Sequence, residues 1–159
     1  MSKVVVLGGC GAVGSVSVRT LAKIKDFSQI VIADINMEKA NALVQEIGAD
    51  RVSAVRVDAL DAESVKSAIR GADIVLNTTG PFYRYVPVIL KAVIEEKINY
   101  IDVCDDVDVT LDILKMDDQA KAAGITAVIG LGSSPGVTNL LAKFAAESLL
   151  SEVETIDIF

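Results

Sequence analysis

The sequence predicts an α/β fold, a doubly wound parallel sheet covered by helices on both faces, and three observations predict it. Strand-like and helix-like runs alternate almost without interruption along the 159 residues. Apolar residues make up 52% of the chain but aromatics only 4%, with no Trp, so Val, Ile, Leu and Ala must fill the core. That composition suits parallel strands buried on both faces. The first strand-like run also enters directly into a glycine-rich turn, Gly8-Gly9-Cys10-Gly11-Ala12-Val13-Gly14.

The elements follow in order. Residues 4–7 are a short apolar strand, and 12–24 a helix with small residues near its start. Residues 30–33 form a second strand. The helix expected at 36–47 has Asn36 as its better cap and Gly48 as its stop. A third strand spans 52–57. Asp61 then reads as the N-cap of a short helix to residue 70, ended by Gly71. Residues 74–77 form a fourth strand, followed by the breaker cluster Thr78-Thr79-Gly80-Pro81. A helix over 84–96 accommodates Pro87 only in its first turn. A fifth strand at 100–103 leads into an acidic turn holding Asp105, Asp106 and Asp108. A helix over 110–123 stops at Gly124, a sixth strand runs over 125–129, and a last helix spans 136–150. For that helix Ser134 is the expected cap and Pro135 the first helical residue. The expected strand order is 3-2-1-4-5-6, with a ligand lying across the carboxyl ends. Residues 153–159 read as one more strand. The division expected is therefore 1–150 as one domain and 151–159 as the start of a second, whose remainder lies outside this sequence.

Gly9, Gly11 and Gly14 stand in G-x-G-x-x-G register, and Asp34 closes the second strand twenty positions after Gly14. The motif gains force from the strand before it, the helix after it and the acid beyond, and points to a dinucleotide-binding Rossmann domain. Gly9 serves the tight turn, Gly11 the approach of a pyrophosphate to bare backbone, and Gly14 close helix–strand packing. The helix starting at Ala12 and Val13 aims free N–H groups at the phosphates. Asp34, followed by Ile35, is placed to accept hydrogen bonds from an adenosine ribose. A 2′-phosphate would meet its charge, and no Arg follows within the next few residues, so NAD is favoured over NADP. Asp58 and Ala59 end the third strand beside the expected adenine position, where a solvated turn is the equal alternative. Asn77, Thr78, Thr79 and Gly80 end the fourth strand across from the glycine loop, where small polar residues let backbone approach the pyrophosphate and the nicotinamide ribose. Tyr100, Asp102, Asp105 and Asp106 lie along the edge where a nicotinamide would end. A Tyr or Asp there can hold a substrate amine or relay a proton, against the alternative of ordinary solvated caps. The start of the last helix offers N–H groups to a substrate carboxylate.

Composition narrows the chemistry further. The formal net charge of −7 argues against nucleic acid as a partner. No apolar run is long enough for a membrane span, and no signal-peptide pattern opens the chain. Two cysteines, Cys10 and Cys104, read as reduced thiols, and with them a cytoplasmic location is expected. No histidine occurs, which removes His-based triads and relays and most zinc sites; no metal is expected. No Tyr has Lys four positions later, which disfavours a short-chain reductase.

With these landmarks placed, the sequence resembles the cofactor-binding domain of the saccharopine dehydrogenase-like family. The matching segments are Gly8–Gly14, Asn77-Thr78-Thr79-Gly80-Pro81-Phe82, Tyr100-Ile101-Asp102-Val103, and Gly132-Ser133-Ser134-Pro135-Gly136-Val137-Thr138-Asn139. The family includes saccharopine reductases, lysine 6-dehydrogenases and carboxynorspermidine-type dehydrogenases. The resemblance implies cofactor contacts at Gly9–Gly14 and Asn77–Gly80, and a second domain that dimerises and forms much of the substrate site. It also implies hydride transfer at a C–N bond of an amino acid or imine. Asp34 departs from the NADP-using saccharopine reductases, which tend to place a basic residue just after the second strand. A dinucleotide sensor without turnover is the competing reading.

Overall fold

The computed structural model describes residues 2–158. Its elements are β1 (Lys3–Leu7), α1 (Ala12–Leu21), β2 (Gln29–Asp34), α2 (Met37–Ile47), β3 (Val52–Arg56), α3 (Ala62–Ile69), β4 (Ile74–Asn77), α4 (Phe82–Glu95), β5 (Asn99–Asp102), α5 (Val107–Leu114), α6 (Asp117–Ala123), β6 (Ala127–Val128) and α7 (Val137–Ser148). The six strands form one sheet in the order β3-β2-β1-β4-β5-β6, every neighbouring pair parallel. This is the expected Rossmann order, and its reversal falls at β1, which pairs with β2 on one side and β4 on the other.

Alternation along β1 builds two cores. Val4 and Val6 join Val18, Ile30, Ile32 and Leu43 on the face covered by α1 and α2. Val5 and Leu7 join Val65, Ile69, Val75, Ile89, Val93 and Tyr100 on the face covered by α3 and α4. Successive side chains of a strand point to opposite faces, so a run of four apolar residues is buried on both.

Most boundaries fall where the cap chemistry places them. Asn36 Oδ1 accepts the Lys39 N–H at 3.0 Å, and Gly48 ends α2 at φ 62°. Asp61 accepts the Glu63 N–H at 3.0 Å to open α3.

Four expectations are corrected. α4 starts at Phe82 behind Pro81, so Pro87 lies past the first turn and leaves the Tyr83 carbonyl without its usual donor. The helix expected over 110–123 is two helices. Asp106 precedes α5, and Asp117 and Asp118 supply negative charge to a fresh N-terminus for α6, so the chain restarts a helix after Met116. At α7 the helix begins after Gly136, at φ 121°, rather than at Pro135. Residues 132–136 close on themselves through Gly132 N–H to Pro135 O (3.0 Å) and Val137 N–H to Gly132 O (3.0 Å), and Asn139 Oδ1 accepts the Gly136 N–H at 3.2 Å. Finally, residues 153–158 are not a strand: they lie exposed and join neither open edge of the sheet, so no ladder fixes their backbone; Phe159 lies outside the described residues. Among the described residues no helix is long and apolar enough to cross a membrane.

Candidate functional site

The glycine loop divides its labour differently at each position. At Gly14 a β-carbon would lie 2.2 Å from Gly8 O and 2.7 Å from Thr78 Oγ1, so α1 sits directly on the loops after β1 and β4. At Gly9 it would lie 2.8 Å from Val6 O and 3.0 Å from Ile32 Cγ2, which fixes the turn against β2. Gly11 is different: its β-carbon would approach only Gly8 O, at 3.1 Å, so its outer side is bare backbone. Gly11 is also the N-cap of α1, and no side chain caps that helix. The first N–H groups of α1, at Ala12 and Val13, therefore remain available to an anion. Gly8, absent from the expected set, is the loop glycine at positive φ, 69°. The doubled glycine of the motif was the available signal for it.

Asp34 ends β2 and faces back across the sheet. Its Oδ2 accepts the Cys10 N–H at 3.2 Å and its Oδ1 the Asn36 N–H at 3.0 Å. Because Asn36 caps α2, Asp34 is released from that duty. A cleft of about 260 Å³ opens at the carboxyl ends of β1–β4. Gly11, Asp34, Ile35, Asp58, Ala59, Thr78, Thr79 and Gly80 line it, all of them expected from sequence. Gly8, Val57 and Tyr85 line it as well and were not expected; Tyr85 comes from the first turn of α4, which starts at Phe82. Asp58 Oδ1 accepts the Leu60 N–H at 3.0 Å, an Asx turn that engages one of its carboxylate oxygens.

Cys10 does not line the cleft: its N–H is taken by Asp34 Oδ2 and it borders a neighbouring groove instead. Its Sγ is turned toward Asn36 O, 3.7 Å away. Burial, then the hydrogen bond and charge of Asp34, push the thiol up to about 11, so it stays protonated at neutral pH.

Under the cleft, the ends of β4 and β5 hold a buried polar chain. Asn77 Nδ2 donates to Tyr100 Oη (3.0 Å), and Tyr100 donates onward to Asp102 Oδ2 (2.9 Å). Asp102 Oδ1 accepts the N–H groups of Cys104 (3.1 Å) and Gly130 (2.8 Å). All three side chains are fully enclosed, and burial, with the Asp102 charge second, pushes the Tyr100 hydroxyl well above its usual range. Tyr100 and Asp102 thus lie beneath the surface with their polar atoms engaged, and the expectation that they touch a substrate is corrected on that ground. Asn77 likewise lies below the cleft rather than in it. Asp105 is exposed and lines a separate groove with Val107 and Ser134. Asp106 Oδ2 accepts the Tyr83 N–H at 3.0 Å, so it holds the start of α4.

Two observations test whether a dinucleotide suits these residues. Gly11 and the uncapped α1 terminus leave a cradle that any β-carbon would narrow. Thr79 Oγ1 is a buried polar atom with no hydrogen-bond partner, on a residue lining the cleft that also contains the Asp34 carboxylate. Both fit the group.

Comparisons with known proteins agree with this architecture. The carboxyaminopropylagmatine dehydrogenase of Synechocystis sp. is 28% identical over 99% of this chain, and the carboxynorspermidine synthase of Vibrio cholerae 29% identical over 94%. The chain spans 41% of the length of each. Among solved structures, saccharopine dehydrogenase (L-Glu forming) from Saccharomyces cerevisiae superposes with a TM-score of 0.76 at 23% identity, over 89% of this chain and 30% of that one. A Citrobacter sp. triphenylmethane reductase complexed with NADP(H) gives 0.61 at 20% identity, over 81% of this chain and 48% of that one. These two likenesses speak for the fold. Residues 4–128 match the saccharopine dehydrogenase NADP binding domain, and the chain belongs to that family.

Proposed function

We propose that this chain is the cofactor-binding part of an NAD(P)-dependent oxidoreductase that transfers hydride at a C–N bond of an amine, amino acid or imine. The observation that carries the reading is the cleft in which the bare Gly11 backbone, the uncapped α1 terminus and the Asp34 carboxylate face one another. Gly11, Ala12 and Val13 hold the pyrophosphate through backbone N–H groups. Asp34 receives the adenosine ribose, Ile35 and Ala59 flank the adenine, and Thr78–Gly80 face the nicotinamide half. When bound, the nicotinamide supplies or accepts the hydride. The chain's own task is to orient that group, since Tyr100 and Asp102 are enclosed and no histidine exists to move a proton. Of the four candidates Tyr100, Asp102, Asp105 and Asp106, Asp105 alone is exposed, where it attracts a cationic amine. The remaining substrate groups, and a homodimer contact, belong in this reading to a second domain following residue 150.

Both curated relatives are named for carboxy-substituted polyamine chemistry, which makes a substrate of that class, alongside saccharopine and lysine, the first to assay. Asp34 argues for NAD: its two oxygens are fixed by backbone N–H groups, and a 2′-phosphate would bring like charge against them. Fluorescence titration of the chain with NADH and NADPH tests the binding claim. NADH is expected to bind at least about tenfold tighter. Asp34→Ser combined with Ile35→Arg should move the ratio toward NADPH. No binding of either nucleotide at millimolar concentration overturns the reading, and an unchanged ratio in the double variant removes Asp34 from the ribose. Tight binding by a protein carrying the second domain, with no amine-dependent NAD(P)H production, would favour the sensor.

A further inference from the structure

We propose that Asn77, Tyr100 and Asp102 form a buried bracket that positions the loop after β4, and through it Thr79, against the loops after β5 and β6. The inference rests on the proposed nucleotide cleft for its functional consequence but not for its geometry. The sheet ladder stops just where the bracket begins. The last β4–β5 register pair is Asn77 with Asp102, and the last β5–β6 pair is Ile101 with Val128. Beyond that point the chain after β6 is attached by Asp102 twice, through its carboxylate to the Gly130 N–H (2.8 Å) and through its carbonyl to the Leu131 N–H (2.8 Å). Asp102 also takes the Cys104 N–H of its own loop (3.1 Å). At the other end Asn77 Oδ1 accepts the Thr79 N–H (2.9 Å). Thr79 is the residue whose hydroxyl is buried without a partner at the cleft wall. Tyr100 Oη is the link between the two ends, as acceptor from Asn77 and donor to Asp102.

Stability alone does not account for this arrangement. An amide, a phenol and a carboxylate buried together are often matched or exceeded in stability by apolar residues of similar volume. What apolar side chains lack is direction: each bond here fixes a donor against one acceptor, and so fixes three loop starts relative to one another.

The test uses Tyr100→Phe, which removes only the hydroxyl, in the full chain. Without nucleotide, amide hydrogen exchange should quicken at Thr79, Cys104 and Gly130 while the β3 amides at Val52–Arg56 keep their rates. With nucleotide, NADH affinity should fall about fivefold to tenfold. A double-mutant cycle with Thr79→Ala shows whether the effect travels through Thr79: Tyr100→Phe should cost little further affinity once the Thr79 hydroxyl is gone. Should Tyr100→Phe fail to fold, Asp102→Asn replaces it in the same measurements. A lowered melting temperature with unchanged exchange at the three amides and unchanged NADH affinity would overturn the bracket, as would additive losses in the cycle. If the unaltered chain binds no NADH, the proposed function falls, and the exchange measurement still decides the bracket.

Discussion

Two glycines three residues apart have opposite jobs, and substitution separates them. A β-carbon at Gly14 would sit 2.2 Å from the Gly8 carbonyl, a backbone atom that cannot swing away. Gly14→Ala should therefore destabilise the fold by about 3 kcal/mol, read as a lower urea midpoint at unchanged m-value. At Gly11 the neighbour is Gly8 O at 3.1 Å with open space outward. Gly11→Val should melt close to the unaltered chain while losing NADH affinity by about tenfold or more, because its methyls occupy pyrophosphate space. A Gly14→Ala chain as stable as the original, or a Gly11→Val chain binding normally, contradicts the assignment. A pH effect belongs to the same loop. Cys10 titrates near 11 in the fold against an ordinary 9.0, so the fold favours its protonated form. That contribution is complete below pH 9 and is lost as pH rises through 11, so stability should decline over this window and decline less in Cys10→Ser. Equal slopes would show that the thiol is not the titrating group. The placement of Gly11 and Asp34 in one cleft, and of Gly9 and Gly14 in close packing, was legible. A tight turn between a strand and a helix demands glycine at particular intervals, and the next strand of the fold ends beside that turn. Tyr100 and Asp102 were misread because a sequence places a polar residue at a strand end without saying whether a partner such as Asn77 covers it.

At the scale of elements, caps written in local chemistry were legible and tertiary anchors were not. Asn36, Asp61, Gly48 and Gly124 mark helix ends through bonds or positive φ that depend on immediate neighbours. The split between α5 and α6 escaped notice because apolar spacing continues across Lys115 and Met116 while Asp117 and Asp118 restart the helix. Arg51 is a clearer case of a long-range anchor. Standing just before β3, it donates from Nη1 to Phe27 O (2.8 Å) and from Nη2 to Ala22 O (2.6 Å) and Ile24 O (2.8 Å). It thus clamps the whole α1–β2 connection, yet in the sequence it is one more surface arginine. Arg51→Ala leaves those carbonyls without their charged donor and should cost about 2 kcal/mol in urea unfolding, whereas Arg51→Lys should recover only part of it. A loss below about 0.5 kcal/mol would mean that water replaces the clamp at no cost.

The whole molecule carries a formal charge of −7, and the ligand proposed for it is an anion. The sheet order offers a geometric way out of that conflict: placing β1 between β2 and β4 brings the α1 terminus to the cleft, so in the proposed complex backbone dipoles rather than lysines would meet the phosphates. These two fields have different reach. The repulsion of the distributed carboxylates acts over the Debye length and is screened by salt, which is about 30 Å at 0.01 M and 8 Å at 0.15 M ionic strength. The N–H groups of α1 act at contact distance and are screened far less. NADH affinity should therefore hold steady or tighten between these ionic strengths, with most of the change in the association rate. A basic phosphate site would behave in the opposite way, weakening as salt is added. Two cations beside the glycine loop bear on this choice: Lys39 and Arg19 share a neighbouring groove with Cys10, and Arg19 is already paired with Glu46 at 2.7 Å. If affinity instead falls severalfold with added salt, side-chain cations rather than backbone N–H groups hold the phosphates, and Lys39→Ala should then remove most of that salt dependence.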